Sequence, residues 1–152
     1  MKSALLLVPA IVALSACQKP KEVSVADAWV RLAAVPANPS AAYFTLRGGP
    51  KDVTLTAVSS PGAMRAEMHE SMKSDDPSGH GPGMMAMVPI KLVAVRAGGE
   101  VTFAPGGKHV MLYGVKGNVR PGGTLPLTFS FADGRKLTAQ AKVVGAGDSA
   151  PE

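Results

Sequence analysis

From Val23 onward the chain alternates apolar and polar residues over short spans, and glycine or proline interrupts each span. Ala42, Phe44 and Leu46 interleave with Tyr43, Thr45 and Arg47, and Gly48-Gly49-Pro50 follows. Val53, Leu55 and Ala57 alternate in the same way with Thr54, Thr56 and Val58. Leu125, Leu127, Phe129 and Phe131 form one stripe, with Thr124, Thr128 and Ser130 on the other side. A period of two puts alternate side chains on opposite faces of a strand. The pattern predicts strands over 23–31, 41–47, 53–59, 63–72, 84–95, 100–104, 109–115, 124–131 and 136–144. Pro61-Gly62, Gly98-Gly99, Pro105-Gly106-Gly107, Pro121-Gly122-Gly123 and Asp133-Gly134 mark turns between them. No long window carries a helical apolar period. Short strands with frequent turns predict an all-β fold, an antiparallel β-sandwich in a single domain over 23–144. One stretch departs from the pattern. Residues 74–83, SDDPSGHGPG, read as a loop insertion with Asp75 and Asp76 solvated rather than a catalytic dyad. The tail at 145–152 is rich in Gly, Ala and Ser and is expected to be disordered.

The first residues are of another kind. Lys2 precedes an apolar stretch over 4–14, eleven residues long, which suits the core of a signal peptide and falls short of the roughly 20 needed to cross a bilayer. Leu14-Ser15-Ala16-Cys17 resembles a lipobox. Residues 1–16 are therefore expected to be a signal peptide, Cys17 the site of lipidation, and 17–22 a tether. The plainer alternative is an ordinary secretory signal with a chance cysteine. The chain's single cysteine standing at the lipobox position favours lipidation, and a lone thiol is otherwise unexpected in an exported protein. The expected location is periplasmic or cell-surface, attached to a membrane by lipid alone.

Composition narrows the functional classes. The net charge of +5 is spread along the chain without a basic run, and aromatic residues make up 5%, so nucleic-acid binding is not expected. One cysteine excludes an intrachain disulfide framework and any multi-cysteine zinc or iron–sulfur site. No nucleophile–base pairing is recognisable, and an enzyme is not expected.

Methionine and histidine change the picture. Of eight methionines, six lie between positions 64 and 87, and Met111 follows in a later strand. The histidines are His69, His80 and His109. Methionine at this density is often core filler, and a single strand histidine is more often structural than a ligand. Yet His109 and Met111 stand at i and i+2 of a strand and share a face, as do Met85 and Met87, while Met68 adjoins His69. Thioether sulfur selects Cu(I), and imidazole suits copper in either oxidation state. If these donors converge, copper is the metal the chemistry favours.

These residues also carry a family likeness. Met87 is followed by twenty-one residues and then His109-Val110-Met111, inside Pro105-Gly106-Gly107-Lys108-His109-Val110-Met111-Leu112. Ala28-Trp29-Val30-Arg31, Ala41-Ala42-Tyr43-Phe44-Thr45-Leu46 and Met68-His69-Glu70 accompany it. Over about 25–142 the chain resembles the periplasmic copper chaperone family PCu(A)C. The resemblance implies a cupredoxin-like β-sandwich that binds Cu(I) through His69, Met87, His109 and Met111. Read from the residues themselves, Met68 and Met85 are first core or rim methionines and His80 is equally a solvated loop histidine, and the sharper reading makes all three auxiliary donors, with Cu(II) at such an auxiliary site. The resemblance further implies delivery of copper to the dinuclear centre of a terminal oxidase, with a copper-accepting oxidase subunit or a Sco-like thiol protein as partner and the chain itself a monomer. The sequence departs from the family in the 74–83 insertion, in Glu70 after His69, and in Tyr113 where relatives often carry a methionine. A blue-copper electron carrier needs a cysteine ligand, and the only one here lies in the signal. Two other functions fit the same residues: copper sequestration, or a metal-free β-sandwich lipoprotein acting as an interaction module.

Overall fold

The computed structural model describes residues 22–73 and 85–151. The expected signal peptide, Cys17, His80 and the 74–83 insertion lie outside them. The described strands are β1 (Ser24–Arg31), β2 (Ser40–Arg47), β3 (Val53–Ser59), β4 (Arg65–Lys73), β5 (Met85–Pro89), β6 (Val93–Val95), β7 (Glu100–Phe103), β8 (Lys108–Tyr113), β9 (Thr124–Phe131) and β10 (Lys136–Val144). They join in one sheet in the order β5-β4-β8-β2-β1-β10-β9-β3-β6, with β7 also on β2. The fold is an all-β single domain. Its ladders are antiparallel except that β1 and β10 run parallel, Trp29 beside Lys142 and Val30 beside Val143. The sheet is therefore mixed, where the strand pattern implied antiparallel pairing throughout. A hairpin forces an antiparallel pair, but the first and last strands meet after the whole domain intervenes, so no turn dictates their direction.

The sheet curls on itself. β5 and β6 occupy opposite ends of the strand order. Only Ile90, Lys91 and Leu92 separate them, and so short a link spans at most roughly 14 Å. The two edges must therefore stand close together. The stretch 84–95 reads as one strand in sequence, but it breaks after Pro89 so that β5 can pair with β4 and β6 with β3. Inside the curl, Phe44 stacks on Phe103 at 4.3 Å between ring centres and meets Phe129 edge-on at 4.7 Å. Leu46, Leu55, Leu112, Leu127 and Val110 fill the space around them.

Strand β9 shows the predicted alternation without a break: Leu125, Leu127, Phe129 and Phe131 are buried and the residues between them are not. Strand β3 does not. A register shift between Leu55 and Ala57 exposes Ala57 and buries Val58. An extra residue in one strand reverses the faces beyond it. A similar shift between Ala26 and Trp29 places Asp27 at φ 52°, a region that aspartate enters more readily than most residues. At Asp133-Gly134 the chain turns as expected, with Gly134 at φ 85°. Asp148 accepts from the Gly145 amide at 2.6 Å, and its carbonyl accepts from Arg31 Nη2 at 3.1 Å, so the tail folds back against β1.

Candidate metal centre

Strand β8 lies between β2 and β4, and its two faces have different fates. Val110 and Leu112 point into the core, as does Met68 across the ladder on β4. His109 and Met111 take the alternate positions and so face outward. On β4 the outward set is Glu67, His69 and Ser71. His109 pairs with His69, Met111 with Glu67, and Met87 of β5 with Ser71. The two histidines thus form one rung across β8 and β4. Met111 stands one outward step to one side on β8, and Met87 one outward step to the other side on β5. Diagonal neighbours of this kind lie roughly 7–8 Å apart at Cα, within reach of a methionine side chain. The imidazole centres of His69 and His109 are 6.0 Å apart with their planes inclined by 26°. That spacing admits one ion between two ring nitrogens at about 2 Å from each.

The loop before β8 prepares His109. β7 and β8 follow one another along β2, with Phe103 opposite Phe44 and Val110 opposite Ala42. Along β2, residues 104–109 thus stand opposite Tyr43 alone, with 104–107 forming the loop and Lys108 and His109 already paired to β4. Gly106 turns it at φ 81°, and the Gly107 amide donates to the Ala104 carbonyl at 3.0 Å. The Gly107 carbonyl then accepts twice, from the Ser71 amide at 3.1 Å and from His109 Nδ1 at 3.0 Å. A carbonyl can only accept, so Nδ1 carries the proton and the Nε2 lone pair is free. One backbone oxygen thereby joins β4 to the loop and fixes the tautomer of His109.

His69 is prepared by a side chain. Its Nε2 faces Glu67 Oε2 at 3.5 Å, which favours the proton on that nitrogen. Its Nδ1 is buried and has no hydrogen-bond partner among the described residues. A buried acceptor left unpaired is costly unless something else uses it. Both rings are largely covered: His109 is 7% exposed, and the His69 side chain 12%. Met87 on β5 is 59% exposed. Lys108 and Glu70 pair at 2.6 Å beside the histidine rung and help to hold the register of β4 on β8.

The remaining donor candidates separate from this group. Met68 is 5% exposed and belongs to the core, on the opposite face from His69, which corrects its place among the auxiliary donors. Met85 pairs through its backbone with Lys73, two ladder positions beyond Met87. Among the described residues no three His, Cys, Asp or Glu side chains cluster to hold a metal. A centre built from the described residues therefore needs thioether sulfur. Two participants carry no metal-ligand signature in sequence: the Gly107 carbonyl and Glu67. The Pro105-Gly106-Gly107 turn was visible, but only the ladder shows that its carbonyl meets His109.

Comparison with known proteins gives this arrangement a family. The LpqE-like family model, whose description is of a lipoprotein, matches residues 23–143. The solution structure of Cu(I)-DR1885 from Deinococcus radiodurans is 31% identical, with a TM-score of 0.52, over 82% of this chain and 80% of that one. The chain belongs to the LpqE-like/PCuAC family. Apo-DR1885 from the same organism aligns over 97% of this chain and 99% of that one at 26% identity and a TM-score of 0.58. The copper-bound PCuAC domain from PmoF2 shares 17% identity and a TM-score of 0.64 over 83% and 95%, which is a likeness of fold. No curated protein matches the sequence significantly. The curled sheet that carries this chain's histidine rung is similar in fold to both apo and copper-bound structures.

Proposed function

We propose that this chain is an extracytoplasmic Cu(I) carrier that holds the ion through His69, Met87, His109 and Met111. One observation carries the proposal: two imidazoles 6.0 Å apart, each with a ring nitrogen left free by its other contact, flanked on the same face by two thioethers. In the apo chain His109 offers Nε2 and His69 offers Nδ1. Sulfur and imidazole donors without thiolate give four neutral ligands, which favours the monovalent ion. A relative supports copper as the cargo, since DR1885 was solved with Cu(I).

Exposure sets the order of exchange. The histidines are nearly buried and Met87 is open to solvent. An acceptor therefore meets Met87 first, replaces it with a ligand of its own, and then draws the ion off the histidine rung. A site built for retention would cover all its donors, so the open methionine favours delivery over sequestration. The acceptor is an oxidase subunit with a dinuclear copper centre or a Sco-like thiol protein, and lipidation at Cys17 would keep the carrier beside such a membrane complex. X-ray absorption of the chain loaded with one Cu(I) tests the ligand set. Two nitrogen and two sulfur neighbours are expected, and loss of one sulfur in Met87→Leu. A copper shell without sulfur would contradict the assignment.

A further inference from the structure

The outward face of β8 continues past Met111 to Tyr113. The Tyr113 hydroxyl donates to Met111 Sδ at 3.6 Å. A thioether is a weak acceptor, so such a bond forms where the ring is aimed at it. The aim comes from Arg65, the ladder partner of Tyr113, whose guanidinium lies over the phenol ring 4.3 Å from its centre. Arg65 Nε also pairs with Glu67 Oε1 at 3.3 Å, and the other Glu67 oxygen faces His69. One arginine thus braces a neighbour of Met111 and a neighbour of His69 together.

The geometry points to Tyr113 as a positioning residue that weakens the hold of Met111 on copper, because its hydroxyl occupies a sulfur lone pair that Cu(I) would otherwise use. The inference rests on the ligand set proposed above. A thioether has two lone pairs. A hydroxyl bound to one withdraws density from the sulfur and weakens the other as a donor. An arriving ion must displace the hydroxyl or accept the poorer donor. On release the hydroxyl returns to the sulfur, so the empty site has a defined state that competes with the loaded one. For a carrier that must give up its cargo, this competition favours release.

The sign of the effect separates this role from a structural one. If Tyr113 only propped Met111 in place, losing the hydroxyl would loosen the sulfur and weaken binding. As a competitor, its loss strengthens binding. The test is an anaerobic Cu(I) competition against a chromophoric Cu(I) chelator, with the full chain and its Tyr113→Phe variant, together with the rate at which the chelator removes the ion. Tyr113→Phe is expected to bind about 2- to 12-fold tighter, the net worth of one neutral hydrogen bond, and to release more slowly. Arg65→Gln keeps the hydroxyl but frees the ring, and shifts affinity the same way by a smaller factor. A wild-type chain that binds, with Tyr113→Phe equal to it or weaker, overturns the inference and leaves the ligand set intact. A wild-type chain that does not bind overturns the ligand set itself. Should Tyr113→Phe fail to fold, Arg65→Gln decides: unchanged or weaker affinity there overturns the inference.

Discussion

His109 owes its usable lone pair to a glycine carbonyl, and His69 owes its own to a glutamate two residues away on the same face. Different partners thus leave different ring atoms free, Nε2 on one histidine and Nδ1 on the other. Sequence shows that histidines are present, but only the fold shows which nitrogen each can offer. Beside this region Tyr43 is a useful reporter of packing. It lies against Trp29 at 4.5 Å between ring centres and is 8% exposed. Burial pushes its phenol above the ordinary 10.0, while the charge of Arg31 pulls more weakly the other way. A raised folded value means that the unfolded chain loses this proton first. The contribution is therefore whole below about pH 10 and is lost as pH rises above it. Thermal midpoints measured across alkaline pH should fall in the wild-type chain, and the fall should be shallower in Tyr43→Phe. Identical alkaline slopes would contradict the assignment.

Among the elements, β7 and β8 matter most for the site, because one looped-out segment between them sets the start of the His109 strand. Phe103 ends β7 and is 1% exposed, stacked on Phe44. Truncating such a side chain costs about 3–5 kcal/mol. Phe103→Ala should lower folding stability by that amount in denaturant titration and loosen the anchor of the 104–107 loop. A loss under about 1 kcal/mol would mean the stack is not part of the core. Legibility in sequence followed the locality of each feature. The β9 stripe was readable because no irregularity interrupts it. In β3 the alternation failed past Leu55, where the register shift depends on a partner strand. The break between β5 and β6 was invisible because both pieces are apolar and adjoining, and only their partners differ. The parallel pairing of β1 with β10 had no local signal at all. Near the proposed metal centre, donor types and their spacing could be read from the chain. The burial of Met68, the shared carbonyl of Gly107 and the Arg65 brace depend on cross-strand register and could not.

At the scale of the molecule, the fold is a curled sheet with its aromatic core inside and the proposed donors on the outer face of three neighbouring strands, β8, β4 and β5. The core carries stability and the proposed donors stand on the outer face, so they can be changed without emptying the core. His109 and Met111 both point away from the Phe44–Phe103–Phe129 cluster, and their joint replacement should leave the domain folded. A ligand that binds only the folded chain stabilises it in proportion to its excess over the dissociation constant, by about 4 kcal/mol at a thousandfold excess. The most direct measurement is an anaerobic Cu(I) titration of the full chain against a chromophoric Cu(I) chelator, beside the double variant His109→Ala, Met111→Ala, with thermal midpoints recorded for each. One equivalent should be withheld from the chelator by the wild-type chain, with a raised midpoint, and both effects should vanish in a variant that still folds. Equal retention by the two proteins, or none by the wild type, would contradict a copper centre on this face.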